Sequence, residues 1–391
     1  MYFDKTPSST LKYHRSMLAD TARVEAFRSA IFQTVKSGDV VLDLGTGTGL
    51  LSFLACEAGA ARVYAIEAGH IVEAARLVCA SNGYADRVTF INERSTKVEL
   101  PELADVLVTE TIGNLGLDEN ILGYAIDAQQ RLLKKGARVI PAAMKLHLVP
   151  VDAKQNYEFV EAWSELVAGL DYSAVRSIAA NNPEWVRLDA ATFLGEPSQS
   201  VEISLSDIAS GNFETVMTCR IAKQGSMCGL GGWFSARLND SGTIAIDNAP
   251  GSKADNWTQT LLPFARPVEV FPGDVVEASL KFAVNASVIQ WSATCSRNDG
   301  ADKQRVEFAR SKQSSFLGQM LSGEALRRNM ESSTPQLSTK GMADRFILGL
   351  FDGSKSLGAI GRLVTERFPG EFRDEAIALT RVQMLSRQYG R

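Results

Sequence analysis

Between Asp39 and Pro141 the sequence alternates short β-rich runs, DVVLD, RVYAIE, RVTFI and DVLVTE, with helical stretches such as LLSFLACEAG and ENILGYAIDAQQRLLKKG. Few folds satisfy that alternation. Strands that are apolar on both faces, each followed by a helix, build a mostly parallel sheet covered on two sides. An α/β class is therefore predicted, with a Rossmann-like domain over residues 38–141. Ahead of it, Tyr13, Met17, Leu18, Val24, Phe27, Ile31 and Val35 recur at helical spacing, with Ser8, Ser9 and Thr10 as candidate caps, so residues 1–37 are expected to form a lead-in or lid helix. After Pro141 the runs KLHLVPV, FETVMTCRIA, GGWFSARL, DVVEASLKFAV and SVIQWSATC, separated by Gly, Pro, Asn and Asp, predict an antiparallel barrel or sandwich over residues 142–310. A helical excursion at about 155–190 is long for a loop inside a compact β domain, a kind of excursion that often serves an interface. Residues 311–391 read as a polar linker and a small helical domain. A chain of 391 residues is expected to hold more than one domain.

In VVLDLGTGTGLLSF a buried strand runs into Gly45-Thr46-Gly47-Thr48-Gly49 and directly on into a helix. Glycines there let the backbone pass close to a ligand at the carboxyl edge of the sheet, beside a helix N-terminus. The dinucleotide fingerprint requires a glycine where this chain has Leu50, which weakens the nicotinamide reading. The next strand ends in Glu67, 22 residues after Gly45, near the ~20 at which an acid in such a fold accepts ribose hydroxyls. A ribose site without a pyrophosphate site suits S-adenosyl-L-methionine. Glycine-rich strand-to-helix turns also occur merely to pack helix on sheet, and the acid is what favours the cofactor.

The fourth strand ends in TETIGNLGLDEN, which carries Glu110 and Glu119 nine positions apart around Gly113, Asn114 and Gly116. A loop that leaves the sheet edge and returns to a helix can place two carboxylates on opposite sides of one pocket. Two facing anions raise each other's pKa unless a cation lies between them, and a guanidinium offers planar paired donors to both. The plainer alternative is that Glu119 only favours the helix dipole, with Asp118 as N-cap.

From residue 2 to about 300 the sequence resembles the protein arginine methyltransferase family. Thr109-Glu110-Thr111-Ile112-Gly113 with Glu119 resembles the family's double-glutamate loop, MLADTARVEAFR its lead-in helix, VLDLGTGTGLLS and VYAIEA its cofactor motifs, GLDYSAVRSIAANNPEWV its arm, and NWTQTLLPF its barrel loop. The resemblance implies a class I methyltransferase domain followed by a β-barrel, a helical dimerisation arm and a head-to-tail homodimer. It implies Glu110 and Glu119 as catalytic residues, Arg23, Asp43, Gly45, Gly47, Glu67 and Thr96 around the cofactor, and Trp257 and Asn256 toward the substrate; His14, read from its place on the lead-in helix, is a further candidate to order substrate or cofactor, with a polar helix-face histidine as the plainer case. Arg23 is implied to grip the cofactor's carboxylate.

The chain departs from the family pattern at several places. Asn256 replaces the barrel-loop histidine and Asp20 stands where that histidine's carboxylate partner is expected, although Trp257 and Gln259 remain. Ile112 replaces a methionine, Thr96 an acid that binds the adenine amine, and Tyr2 and Phe3 lack the second tyrosine of the opening segment. The predicted activity is N-methylation of an arginine guanidinium in a protein or peptide. Methylation of free arginine or another small guanidino compound is the alternative, and a non-catalytic cofactor-binding scaffold or peptide-recognition protein is a further one. The last ~50 residues loosely resemble the helical part of winged-helix or PqqD-like modules, and a plain helical cap explains them equally well.

Charge and composition exclude several other classes. With 41 basic and 45 acidic residues the net charge of −4 argues against nucleic acid as partner. Five scattered cysteines and three isolated histidines, His14, His70 and His147, give no metal pattern. No apolar run approaches the ~18 residues of a membrane span, and the reading is of a soluble, cytoplasmic protein.

Overall fold

The computed structural model describes residues 7–208, 210–283, 288–298 and 305–390, so Tyr2 and Phe3 lie outside the described residues. The lead-in is two helices rather than the single one expected, α1 (Pro7–Ala19) and α2 (Thr21–Thr34). Asp20 separates them. Its backbone is extended (φ −74, ψ 90) and its carboxylate accepts the N–H of Arg23 at 3.0 Å, capping the second helix.

The α/β domain follows as β1 (Val40–Leu44), α3 (Leu50–Glu57), β2 (Arg62–Ile66), α4 (Val72–Ser81), β3 (Val88–Ile91), β4 (Ala104–Thr109), α5 (Ile121–Arg131) and β5 (Leu133–Ile140). The strands lie parallel in the order β3-β2-β1-β4-β5. All of β1 is buried, as the unbroken apolar run requires. The segment RLLKKG, expected to prolong the preceding helix, instead leaves it after Arg131 and enters the fifth strand. The Arg131 guanidinium is held by the carbonyls of Val98 and Ser95 (2.8 and 3.0 Å), and the N–H of Ala104 captures the carbonyl of Leu132 at 2.9 Å. Sheet pairing overrides local helix propensity there.

The second half begins with β6 (Ala143–Val151) and the arm: α6 (Lys154–Glu161), a small hairpin of β7 (Leu166–Val167) and β8 (Leu170–Asp171), and α7 (Ser173–Ala179). The hairpin was not expected in a helical arm. Ala168 and Gly169 both take positive φ (51 and 79), the conformation of a two-residue type I′ turn, which closes the strands. Trp163, Leu166, Val167, Leu170 and Tyr172 are exposed on this arm.

Strands β9 (Glu184–Val186), β10 (Ser198–Gln199), β11 (Ile203–Ser204), β12 (Phe213–Arg220), β13 (Gly225–Arg237), β14 (Ala245–Asp247), β15 (Gln259–Val270), β16 (Val275–Ala283), β17 (Val288–Asn298) and β18 (Arg305–Ser314) complete two antiparallel sheets. One runs β10-β6-β13-β15-β9, with β11 and β14 alongside, and the other β12-β16-β17-β18. The indole N–H of Trp291 on β17 donates to the carbonyl of Pro263 on β15 at 2.8 Å, tying the two sheets. One apolar core runs from the parallel sheet into these sheets, through Leu107, Leu115, Met144, Leu230, Phe234 and Trp291.

By internal contacts the chain divides into Met1–Met320 and Leu321–Arg391. Among its described residues the second unit is all-helical, with α8 (Gly323–Arg328), α9 (Thr339–Gly349), α10 (Leu357–Arg367) and α11 (Glu375–Tyr389). Ser338, Ser356 and Asp374 cap the last three helices by accepting backbone N–H groups. The unit has its own core, built on Ile347, Ile360, Val364, Phe372, Val382 and Leu385. Among the described residues no helix is long and apolar enough to cross a membrane.

Candidate active site

A cleft of about 1400 Å³ opens at the carboxyl edge of the parallel sheet. Gly45 and Gly47 line it, both with positive φ (79 and 55), so the turn after β1 keeps the backbone flush with the cleft wall. Their neighbours crowd any side chain there, since a β-carbon on Gly47 would lie 3.1 Å from the ring of His14, which rests on the loop. Glu67, at the end of β2, accepts the N–H of Gly47 at 3.1 Å and that of Gly69 at 2.7 Å, one on each oxygen. Both oxygens keep a lone pair for further donors. Thr96 lines the same cleft, together with Glu93.

Asp43 is placed differently from the expectation that it contacts the cofactor. It is fully buried and absent from the cleft wall, and one oxygen accepts the hydroxyls of Thr46 and Ser52, both at 2.6 Å. It holds the glycine loop from behind. Its other oxygen has no hydrogen-bond partner among the described residues, and burial pushes its pKa up to about 6.

Arg23 and Glu110 meet at the cleft. The Arg23 guanidinium donates to the Glu110 carboxylate and to the carbonyl of Met17 (3.1 Å), while its carbon sits 5.5 Å from the ring centre of Trp257. The Arg23 Nε is buried without a hydrogen-bond partner among the described residues, so a donor remains for an anionic group. Burial raises the pKa of Glu110, and the charge of Arg23 opposes that rise.

Glu119 lines the cleft with Glu110. It precedes α5, whose N-cap position is taken by Asn120 in a left-handed conformation (φ 66). Asp118, weighed as that cap from sequence, instead folds back and accepts the N–H of Leu115 at 2.9 Å. This closure explains Gly113, because a β-carbon there would overlap the Asp118 carboxylate. Burial raises Asp118 to about 6, making it a third acid at the site.

The loop is pinned from the antiparallel side. The Trp257 indole donates to the carbonyl of Ile112 at 2.9 Å and packs edge-on against Phe234. The Asn114 side chain accepts the N–H of Thr258 at 2.7 Å, and its carbonyl accepts the amide of Asn248 at 2.8 Å. Asn256 joins the cleft wall. Its backbone N–H donates to Asp20 at 2.9 Å and its side-chain oxygen accepts the hydroxyl of Ser16 at 3.0 Å. Asp20 therefore meets the backbone of residue 256, not its side chain.

Of the other two histidines, His70 is exposed at the cleft margin, while His147 stacks on Trp233 and bonds Ser235 at 2.8 Å, away from the cleft. Sequence patterns did not mark Tyr13, Ser16, Asn114 or Asp118 as residues of the cleft. Tyr13 and Met17 share one helical face, a spacing read only as core periodicity. The five-residue separation of Gly113 and Asp118 belongs to no local motif.

Comparison with known proteins agrees with this geometry. Residues 142–292 match the family model described as arginine methyltransferase oligomerization subdomain, and residues 28–142 match that of ribosomal protein L11 methyltransferase (PrmA). The chain is 30% identical over 292 residues to protein arginine N-methyltransferase 2 of Xenopus tropicalis, covering 71% of this chain and 67% of that protein. It is 30% identical over 312 residues to the probable protein arginine N-methyltransferase 6 of Arabidopsis thaliana, covering 68% and 72%. Its fold matches the Trypanosoma brucei PRMT1 enzyme-prozyme heterotetrameric complex with AdoHcy at TM-score 0.67 and 22% identity, over 77% of this chain and 97% of that one. It also matches Arabidopsis thaliana protein arginine methyltransferase 10 at TM-score 0.66 and 21% identity, over 78% and 99%. The chain belongs to the protein arginine N-methyltransferase family and is an enzyme of the methyltransferase class.

Proposed function

We propose that this chain transfers a methyl group from S-adenosyl-L-methionine to the guanidinium of an arginine in a protein or peptide. One observation carries the reading: Glu110 and Glu119 line the same cleft as Gly45, Gly47 and Glu67. The residues fit the donor molecule. Glu67 offers two oxygens to ribose hydroxyls, the glycine loop lets the ligand lie against backbone, and Arg23 has a spare donor for a carboxylate. Thr96 and Glu93, on the same cleft wall, would bound its adenine side. When bound, the sulfonium supplies an electrophilic methyl group.

The protein's part is orientation and electrostatics. Glu110 and Glu119 hold the acceptor's guanidinium by paired hydrogen bonds, draw positive charge away from one terminal nitrogen and fix it in line for attack. A guanidinium keeps its proton at neutral pH, so the proton leaves as the new bond forms. With Asn256 in the barrel loop, Glu119 and water are the routes for it. Trp257 keeps the acid-bearing loop seated, and His14 and Asn256 bound the substrate side.

The division of labour follows the sequence segments. Helices α1 and α2 close over the site, residues 38–141 hold the donor, the antiparallel sheets through β18 bound the acceptor, and residues 321–391 form a second unit. The arm at about 155–190, with its exposed Leu166, Val167 and Leu170, carries a homodimer. The test is incubation with radiolabelled donor and either arginine peptides, free arginine or a host lysate, with the Glu119→Gln variant as control. Label in peptide arginine that is lost in the variant is expected. Label in free arginine alone would shift the acceptor to a small guanidino compound, and label in none would remove the reading.

A further inference from the structure

Asn248, the first residue after β14, is completely buried, and each of its polar atoms has a partner. Its backbone N–H donates to the carbonyl of Phe234 on β13 at 3.3 Å, its side-chain oxygen accepts the Phe234 N–H at 2.9 Å, and its own carbonyl accepts the Gln259 amide from β15 at 2.7 Å. The residue is thus fixed to two neighbouring strands. Its side-chain nitrogen then donates twice, to the carbonyl of Asn114 in the acid loop at 2.8 Å and to that of Thr258 in the barrel loop at 2.5 Å. Asn114 closes the ring, because its side-chain oxygen accepts the N–H of Thr258 at 2.7 Å. None of these three residues lines the cleft, yet the two loops they tie together bring Glu110 and Glu119 to it from one side and Asn256 and Trp257 from the other.

We propose that Asn248 is a positioning residue for methyl transfer: by clamping the acid loop and the barrel loop to each other, it sets the gap into which the acceptor's guanidinium fits. The place demands an amide. Two carbonyl oxygens converge on one end of the side chain and an N–H points at the other, so paired donors and an acceptor are needed together, and asparagine is the smallest side chain that has them. Aspartate would set an oxygen against two carbonyls, and alanine would take a partner from three backbone groups. A buried network with every member satisfied holds what it joins rigidly. Because Asn248 is separated from the cleft by the loops it joins, its loss changes the placement of the acids and not their chemistry.

The inference rests on the proposed reading of the site, and the experiment separates the two. For the full chain, kcat for an arginine peptide, the Kd for S-adenosylhomocysteine and amide hydrogen exchange are compared between wild type, Asn248→Ala and Asn248→Asp. Asn248→Ala is expected to lower kcat by more than about tenfold, the cost of displacing positioned groups, with the Kd of the wild type. Residues 109–120 are expected to exchange faster while β1 and β2 exchange as before. Asn248→Asp adds a signature that lost stability alone does not give. A buried carboxyl titrates above its ordinary range and only its protonated form donates to a carbonyl, so the kcat of this variant relative to wild type should rise as pH falls. Should Asn248→Ala not fold, Asn114→Ala breaks one link at the half-buried edge of the clamp, and the same changes at smaller size are expected. Wild-type kcat in a folded variant, whatever its exchange, would overturn this inference alone. A wild type that methylates no arginine would overturn the reading of the site and this inference with it.

Discussion

Arg23 and Glu110, 87 positions apart in sequence, are joined side chain to side chain at the edge of the parallel sheet, with about a tenth of each side chain exposed. The pair couples the lead-in helices to the acid loop. It also means that one of the two acids proposed to hold the acceptor's guanidinium already holds one supplied by the protein.

Glu110→Gln is expected to reduce turnover by about a hundredfold or more in a radiolabel assay, because it removes a preorganised charge from the acceptor side and the charged partner of Arg23 with it. Arg23→Ala leaves Glu110 buried without its cation. A loss of about 3 kcal/mol in denaturant-measured stability is expected, since breaking a buried pair strands the remaining charge. Burial already raises Glu110 and Arg23 opposes it, so the acidic limb of the rate profile should also move to higher pH in Arg23→Ala.

Gly113→Ala tests the clasp. A β-carbon there overlaps the carboxylate of Asp118, which must swing out and release the N–H of Leu115. Turnover should fall by more than about tenfold with donor binding near normal, as small displacements of positioned groups are costly. Equal activity in the variant would show that the loop closes without this contact.

Asp43 gives a pH signature. Its carboxyl titrates near 6 when folded, against 3.8 ordinarily, because it is buried with one oxygen unpaired. The folded state therefore holds a proton that the unfolded chain has lost, and stability present below pH ~4 is lost as pH rises toward 6. Asp43→Asn cannot titrate. Plotted against pH, the stability difference between variant and wild type should move in the variant's favour by up to about 3 kcal/mol across that window. A flat difference would mean that Asp43 ionises at its ordinary pKa.

The arm makes a prediction about assembly. Leu166 and Leu170 lie on the two strands of a small hairpin and are 69% and 61% exposed in the single chain, so they can be buried only against another surface. Leu166→Asp with Leu170→Asp should convert a dimer to a monomer by light scattering while circular dichroism stays unchanged. A protein already monomeric before substitution would remove the proposed homodimer.

The architecture was legible in the chain before folding, because local patterns suffice for it. Apolar runs alternating with helices set the parallel sheet, the change of period after Pro141 set the antiparallel sheets, and the glycine turn with Glu67 pointed to the edge where the cleft opens. The spacing of Glu110 and Glu119 pointed to one pocket, and both line one cleft. What each acid meets is set by long-range packing. Asp43 looked like a ligand contact and lies behind the loop, RLLKKG looked helical and pairs as a strand, and Asp118 looked like a cap and closes a loop. The partners of Glu110 and of the loop carbonyl of Ile112 come from residues 87 and 145 positions away. Such contacts follow from how elements pack, and packing depends on the whole chain at once, whereas helix and strand periods are written within a dozen residues.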